Sequence, residues 1–220
     1  MNGAVRATTE LDPRSLRLYV LTSGTFRGRS HADVATAALE GGTSALQLRA
    51  PELDEVELRA LASELAARCA EVGVLFIVND RPEVAVASRA GGAHLGQGDD
   101  LDGARSALGP ERVLGISVGS IEEMRDAVAR GADYVAVTVW ATPTKPEAEP
   151  GGLELVRRIA DASPVPVVGI GGIRPSNAAD VIAAGAAGVA VISAVADADD
   201  PVEATRALAA AVGAGVRGSA

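Results

Sequence analysis

Polar residues that could hold an anion stand at the ends of several short apolar stretches of this sequence. Arg49 ends the stretch SALQLR, and Asn79 directly follows LFIV. Burying a polar side chain at such a position is costly unless something binds it, so these positions are candidates for contact with a bound molecule. Further polar residues at or just beyond such ends are Gln47, Asp80, Asp99, Ser117, Thr142, Thr144, Lys145 and Ser193.

Two of these residues, Asp80 and Asp99, are carboxylates at the ends of successive apolar stretches. Two carboxylates that converge can bind a hard cation, and water with phosphate oxygens would complete the octahedron that Mg²⁺ requires. Aspartates in loops also cap helices and form turns. The spacing favours a Mg²⁺ site, and the alternative is that these aspartates cap helices or form turns.

Two glycine- and serine-containing exits stand late in the chain, GIGGI at residues 169–173 and VIS at residues 191–193. Each ends an apolar stretch and precedes a helix-like pattern, which in the first case opens with Pro175 and Asn177. Glycine lets backbone N–H groups approach a ligand, and a helix N-terminus offers unpaired donors to a phosphate. The alternative is that the glycines only form tight turns, but the repetition of the pattern favours phosphate binding at Gly172 and Ser193.

The elements that would position these residues alternate along the chain from residue 16, with eight apolar stretches and eight helix-period stretches. The predicted strands are 16–22, 44–49, 74–79, 93–95, 113–118, 133–139, 165–170 and 188–193. The predicted helices are 31–40, 54–72, 82–90, 101–108, 120–130, 152–161, 175–184 and 201–212. Eight units of about 25 residues predict an α/β fold, a single (β/α)8 TIM barrel, with phosphate sites after strands seven and eight. An open doubly wound sheet is the alternative.

Length and composition suit one domain. The chain has 220 residues, of which 48% are hydrophobic, which supplies a core for a barrel at 15–213 between a flexible arm at 1–14 and a flexible tail at 214–220. The arm lacks the apolar run of a signal peptide, and the longest uncharged stretch, 181–196, is shorter than the ~20 residues that span a bilayer. With a single cysteine, Cys69, no internal disulfide can form. We therefore expect no membrane segment and a cytoplasmic location.

The net charge of the chain limits the classes of molecule that it can bind. A formal net charge of −9 opposes a general attraction to nucleic acid or anionic lipid. An anionic substrate must therefore be held locally, by backbone N–H groups, a few Arg or Lys side chains and a carboxylate-bound cation. We expect small phosphorylated substrates, and the sequence leaves a homo-oligomer open.

The two histidines give no sign of zinc or hydrolytic chemistry. His31 falls in the first turn of a predicted helix, and His94, between Ala93 and Leu95, is predicted to point into the structure from a strand. No His/Cys cluster suits zinc, and neither Ser117 nor Ser193 has a histidine close in sequence for a catalytic triad.

Taken together, the motifs resemble those of the thiamine phosphate synthase family, in the same order and over nearly the whole chain. They are QLR at 47–49, VND at 78–80, HLGQGD at 94–99, GISV at 115–118, ATPTK at 141–145, PGG at 150–152, GIGGI at 169–173 and VISA at 191–194. The resemblance implies a Mg²⁺-dependent (β/α)8 transferase that joins hydroxymethylpyrimidine diphosphate to hydroxyethylthiazole phosphate, giving thiamine phosphate and pyrophosphate.

The resemblance also implies roles for individual residues. The pyrimidine and its diphosphate would be held by Gln47, Arg49, Asn79, Ser117 and Lys145, of which Arg49, Ser117 and Lys145 would be catalytic. Mg²⁺ would be held by Asp80 and Asp99. The thiazole phosphate would be held by Thr142, Thr144, Gly172, Ile192 and Ser193.

One position departs from the family pattern. The family continues QLR-x-Lys, whereas this chain has Pro51, and a lost charged contact costs about 1.5 to 3 kcal/mol, or about ten- to a hundredfold in rate or affinity. A non-catalytic phosphate-binding barrel is therefore one alternative, which Asp80, Asp99 and Lys145 oppose. A thiazole tautomerase is the other, but that family carries a histidine where this chain has Gly119.

Overall fold

Eight parallel strands form a closed barrel in the computed structural model, which describes residues 11–23, 26–141 and 149–218. Each strand pairs with its neighbours in sequence, and β1 also pairs with β8. The predicted (β/α)8 barrel is confirmed, and the open sheet is excluded. The strands are β1 (Leu18–Leu21), β2 (Ala45–Leu48), β3 (Leu75–Asn79), β4 (Gly92–Leu95), β5 (Val113–Ser117), β6 (Tyr134–Thr138), β7 (Val167–Ile170) and β8 (Gly188–Val191).

Helices surround the barrel and connect its strands. They are α1 (His31–Glu40), α2 (Glu55–Glu71), α3 (Pro82–Ala87), α4 (Leu101–Leu108), α5 (Ile121–Ala129), α6 (Gly152–Ala162), α7 (Ala178–Ala183), α8 (Ser193–Ala196) and α9 (Pro201–Gly218). Short 3-10 helices lie at Pro13–Leu16 and Phe26–Gly28. The first two α-helices begin at capping boxes built on Ser30 and Asp54, which satisfy backbone donors at the helix start. In the described part of the chain, no helix has the length and apolarity needed to cross a membrane.

Several predicted boundaries are wrong. The helix predicted to begin at Pro175 begins at Ala178, because the Asn177 side chain accepts from the N–H of Arg174 and donates to the carbonyl of Gly172, which closes a turn first. The four-residue α8 was not predicted, since it is too short to show a helical period.

The predicted end segments contain helical residues. Residues 214–218 of the predicted tail continue α9, where a Cβ on Gly215 would lie 3.1 Å from Cβ of Ile182 and 3.2 Å from Cα of Ala179 on α7, closer than ordinary packing allows. This packing offsets the low helix propensity of glycine. In the predicted arm, Pro13 and Arg14 belong to a 3-10 helix capped by Asp12. Residues 1–10 and 219–220 of these segments lie outside the described residues.

The core has two layers. The outer layer fills the space between the barrel and its helices with buried Val, Leu, Ile and Ala side chains. The inner layer lies inside the barrel, where Leu16 and Leu21 pack with two buried tyrosines, Tyr19 and Tyr134. The Tyr134 ring lies against Gly115 of β5, at a place where any Cβ would overlap it. The interior below the strand ends is thus filled, partly by side chains that carry hydroxyl groups.

Candidate active site

A cavity of about 480 Å³ lies at the carboxyl ends of the strands. It is the place where functional residues of a (β/α)8 barrel are expected. On one side the strands β2 to β5 contribute the side chains of Gln47, Arg49, Asn79, His94 and Ser117. On the other side the segments after β7 and β8 contribute Gly171, Gly172, Ile173, Ile192, Ser193 and Ala194. The structure therefore brings seven of the predicted site residues to one cavity: Gln47, Arg49, Asn79, Ser117, Gly172, Ile192 and Ser193.

Arg49 places a positive charge at the first side of the cavity. Its backbone N–H donates to Oγ1 of Thr22 over 3.2 Å, which ties the end of β2 to the end of β1. Its guanidinium forms no ion pair with any residue that the structure describes, although its charge contributes to the lowered pKa of Glu52 and opposes the rise in the pKa of Asp80. The charge is thus available to an anion in the cavity.

Gln47 is buried near Arg49, and one of its two polar side-chain atoms has no hydrogen-bond partner among the described residues. Its Nε2 donates to the hydroxyl of Tyr19, while its Oε1 is buried and has no hydrogen-bond partner among the described residues. An unsatisfied buried acceptor costs free energy. A ligand that offers an N–H or O–H to this oxygen would remove that cost.

The carboxylates of Asp80 and Asp99 lie near each other without lining the cavity. Asp80 has a left-handed backbone (φ 57°) and donates its N–H to the carbonyl of His94 over 2.9 Å. Burial of its carboxylate raises the pKa of Asp80, the charge of Asp99 raises it further, and the lowering effects of Asn79, Arg49 and Arg81 are outweighed. A cation near both carboxylates would relieve their repulsion.

Asp99 also forms a turn, which is part of the alternative raised by the sequence, because its Oδ2 accepts the N–H of Gly96 over 2.8 Å. The described residues contain no group of three or more His, Cys, Asp or Glu side chains that could enclose a metal ion. Two carboxylates still suit Mg²⁺, which proteins hold with one or two carboxylates together with water and substrate phosphate oxygens. The donor set therefore fits Mg²⁺ bound jointly with a phosphorylated substrate.

The second side of the cavity offers backbone donors. Gly171 and Gly172 both have positive φ, 93° and 66°, a conformation that glycine adopts without strain. The N–H groups of Gly172, Ser193 and Ala194 donate to no acceptor in the described ranges. A Cβ at position 172 would lie 2.9 Å from Cβ of Trp140. Backbone N–H groups that face a cavity without an acceptor can bind phosphate.

His94 is a site residue that sequence reasoning missed. It was correctly predicted to point inward, but it also lines the cavity, with Nε2 3.1 Å from Oγ of Ser117 and Nδ1 2.9 Å from the hydroxyl of Tyr134. The signal was the strand alternation, since Ala93 and Leu95 pack in the outer core layer and so direct His94 into the barrel.

The remaining predicted residues, Thr142, Thr144 and Lys145, lie outside the described residues. The residue before them, Ala141, lines the cavity. Their roles stay predictions.

The model of one protein family, described as thiamine monophosphate synthase, matches residues 18–195. The chain belongs to the thiamine monophosphate synthase family. It is 46% identical over 199 residues to a thiamine-phosphate synthase from Roseiflexus sp. (strain RS-1), covering 89% of this chain and 84% of that protein. It is 47% identical over 196 residues to a thiamine-phosphate synthase from Moorella thermoacetica, covering 87% and 93% of the two chains.

Solved structures agree with this family assignment. The thiamine phosphate pyrophosphorylase from Pyrococcus furiosus superposes with a TM-score of 0.85 at 36% identity and covers 93% of this chain and 98% of its own. A 3-hexulose-6-phosphate synthase superposes with a TM-score of 0.66 at 19% identity, which shows a shared fold alone. The comparisons favour the synthase name over both alternatives raised by the sequence.

In this member of the thiamine monophosphate synthase family, the loop that contains Pro51 is held in place through its next residue, Glu52. Oε1 of Glu52 lies 2.6 Å from Nε2 of the buried His31, whose Nδ1 lies 2.8 Å from Oγ1 of Thr22. Burial acts to raise the pKa of Glu52, but the His31 hydrogen bond, with backbone and charge effects, outweighs it and the pKa is lowered. Since Thr22 also accepts from Arg49, this cluster fixes the loop next to the candidate anion site.

Proposed function

We propose that this chain is a thiamine-phosphate synthase, which joins hydroxymethylpyrimidine diphosphate to hydroxyethylthiazole phosphate and releases pyrophosphate. One observation carries the proposal: a single cavity has two sides suited to anions, one built from side chains and the other from backbone N–H groups. Two phosphorylated substrates that react with each other need such an arrangement. The names of the relatives support the same reaction.

The pyrimidine diphosphate belongs at the side-chain side. The unsatisfied Oε1 of Gln47 suits the amino group of the pyrimidine, and Arg49 with Ser117 suits the diphosphate. Lys145 would add a second positive charge. The thiazole phosphate belongs at the backbone side, where Gly172 and Ser193 present N–H groups.

Asp80 and Asp99 would hold Mg²⁺. Their mutual repulsion, expressed in the raised pKa of Asp80, supports a cation between them. When bound, the ion supplies positive charge that stabilises the departing pyrophosphate.

The residues suit a reaction in which the leaving group departs first. The bond between the pyrimidine methylene carbon and the diphosphate oxygen breaks with its electron pair going to the oxygen, and Arg49 and Ser117 stabilise the growing negative charge. The thiazole nitrogen then forms a C–N bond to the methylene carbon with its own lone pair, so no general base is needed. Leu21, Ile170 and Ala190 line the cavity and exclude water, which would otherwise capture the cation.

The cytoplasm is the proposed compartment. The chain has a single cysteine, Cys69, and therefore no internal disulfide that would need an oxidising compartment. Cys69 is buried in α2, and burial raises its pKa to about 11, which keeps the thiol protonated.

The deciding experiment is an assay with both substrates and Mg²⁺ that measures thiamine phosphate and pyrophosphate together. We expect the two products in equal amounts. Undetectable product combined with intact binding of thiazole phosphate would contradict the proposal and favour the binding barrel. Conversion of a thiazole tautomer in the absence of synthase turnover would favour the tautomerase.

A further inference from the structure

A chain of hydrogen bonds crosses the interior of the barrel beneath the cavity. Gln47 donates from Nε2 to the hydroxyl of Tyr19, which lies 3.1 Å from the hydroxyl of Tyr134. The Tyr134 hydroxyl lies 2.9 Å from Nδ1 of His94, whose Nε2 lies 3.1 Å from Oγ of Ser117. Five strands are joined in this way, and the two ends of the chain, Gln47 and Ser117, both line the cavity.

Both tyrosines of this chain keep their hydroxyl hydrogens. Each is fully buried, and burial raises the pKa of Tyr19 and of Tyr134 well above the ordinary value because a phenolate would lose its hydration. Each hydroxyl therefore has one hydrogen to donate and must find an acceptor inside the barrel.

The donor at Gln47 sets the direction of every later hydrogen bond. Since the Tyr19 oxygen accepts from Gln47, the hydrogen of Tyr19 goes to the oxygen of Tyr134. The hydrogen of Tyr134 then goes to Nδ1 of His94. A ring nitrogen that accepts carries no proton, so the imidazole has its proton on Nε2 and donates it to Ser117. The Ser117 oxygen thus accepts, and its own hydrogen is left to donate into the cavity.

The position of the Tyr134 ring is fixed. It fits only because residue 115 is glycine, and it stacks on the His94 ring with centroids 5.5 Å apart and planes 29° apart. Tyr134 does not line the cavity, so it acts on a bound molecule only through its hydrogen-bond partners, and of these His94 lines the cavity whereas Tyr19 does not.

We propose that Tyr134 is a positioning residue that holds the His94 proton on Nε2, so that Ser117 presents a hydroxyl hydrogen to a phosphate oxygen of the substrate. The kinetic part of this inference rests on the proposed synthase function. A donor fixed before the reaction strengthens its hydrogen bond as the leaving group gains charge, without having to reorient.

The tautomer can be measured without any turnover. The chain has two histidines, so ¹⁵N NMR of the ligand-free protein resolves both rings, and His31→Gln assigns them. We expect His94 to carry its proton on Nε2 in the wild type and in Tyr19→Phe, where Tyr134 can still donate to Nδ1, and to lose this preference in Tyr134→Phe. A wild-type His94 protonated on Nδ1, or an unchanged tautomer in Tyr134→Phe, would overturn the proposal.

The kinetic test compares the same pair of buried phenols. We expect Tyr134→Phe to lower kcat by about tenfold with the KM for thiazole phosphate unchanged, and Tyr19→Phe to lower kcat less. Equal losses of kcat that match equal losses of melting temperature would mean that both rings act by packing alone, and the proposal would fail.

A second pair of variants keeps the test decisive if Tyr134→Phe does not fold. His94→Gln places an amide N–H near the position of Nε2, whereas His94→Asn places one near Nδ1. We expect more kcat to remain in His94→Gln, and the reverse order would contradict the inference. A wild type with the Nε2 tautomer but no synthase turnover would overturn the proposed function and leave the tautomer assignment standing.

Discussion

The two sides of the cavity differ in what they offer an anion. After β2 to β5 the protein presents side chains, among them the guanidinium of Arg49 and the hydroxyl of Ser117, whereas after β7 and β8 it presents backbone N–H groups at Gly172 and Ser193. A side-chain site depends on which residue is present and on its charge. A backbone site depends on φ and on free space. Anion binding at the side-chain site should therefore be weakened by removing a side-chain group, and binding at the backbone site should be weakened by adding one.

The largest effect expected from removing a group is at the carboxylates. Asp80→Asn and Asp99→Asn should each lower turnover at limiting Mg²⁺ by about a hundredfold or more, because a bound metal supplies several kcal/mol of charge stabilisation. Raising the Mg²⁺ concentration should recover part of the rate. The matched control is Asp102→Asn on α4, whose carboxylate pairs with Arg130. Wild-type rates in both site variants at limiting Mg²⁺ would show that the metal hypothesis is wrong.

Removing the charge of Arg49 tests the same side directly. Arg49→Gln should weaken binding or turnover of the pyrimidine diphosphate by about ten- to a hundredfold, the range for a lost charged hydrogen bond. Calorimetry should show unchanged affinity for thiazole phosphate. Arg59→Gln is the control, since Arg59 lies on α2 and pairs with Glu55. Equal losses for both substrates would erase the distinction between the two sides.

Adding a group tests the backbone side. Gly172→Ala should weaken the binding of thiazole phosphate by about tenfold, because a side chain strains a positive φ and its Cβ would approach Cβ of Trp140 to 2.9 Å. Binding of the pyrimidine diphosphate should change little. Gly73→Ala has a similar φ of 71° with no atom within 4 Å of the added Cβ, and so it separates strain from crowding. If the two variants bind thiazole phosphate equally well, Gly172 is not part of the phosphate site.

Restoring a charge to the side-chain side should strengthen it. Pro51→Lys should improve affinity or rate for the pyrimidine diphosphate by up to about tenfold, the value of one charge-assisted contact less the entropy released with the proline. Pro51→Gln removes the proline without adding charge, and so it measures the entropic effect of losing the proline alone. Thiazole phosphate affinity should stay the same in both. Equal affinity and rate in the Lys and Gln variants would show that the loop lies too far from the diphosphate to contact it.

The smallest effect concerns the pH dependence of folding stability, through Glu52 in the loop that contains Pro51. Because the pKa of Glu52 is lowered from its ordinary 4.5 in the fold, its contribution to stability is present above pH 4.5 and is lost as the pH falls through the lowered value. The Glu52 side chain is 47% exposed, so the contribution is about 0.2 to 1 kcal/mol. Unfolding curves of the wild type and Glu52→Gln should differ at neutral pH and converge in acid. A constant difference would contradict the assignment.

The fold was largely predictable because its strands are buried on both faces. Such strands appear in sequence as short apolar runs between helix patterns, and two helices, His31–Glu40 and Leu101–Leu108, have the predicted bounds. The side-chain turn at Asn177 and the close approach of Gly215 to α7 depend on three-dimensional contacts. Periodicity contains no signal for either.

The site was predictable where strand ends decide it. Arg49, Asn79 and Ser117 follow apolar runs, so the barrel fold alone places them at one face. The Tyr19–Tyr134–His94 chain was not predictable, because its members lie on strands far apart in sequence and each one alone resembles an ordinary core residue. Its signal is the inward alternation of these strands, which has meaning only once the barrel register is known.

The pairing of β1 with β8, which sets Leu18 beside Val189, links assembly of the site to closure of the barrel. The edge of β1 that faces β8 has no strand partner until β8 pairs with it, and parallel pairing of segments distant in sequence comes late in folding. Ser193 lies two residues after the end of β8, so its N–H takes its place in the same step that closes the barrel. A folding chain therefore gains the backbone side of the cavity only when it loses its last exposed strand edge.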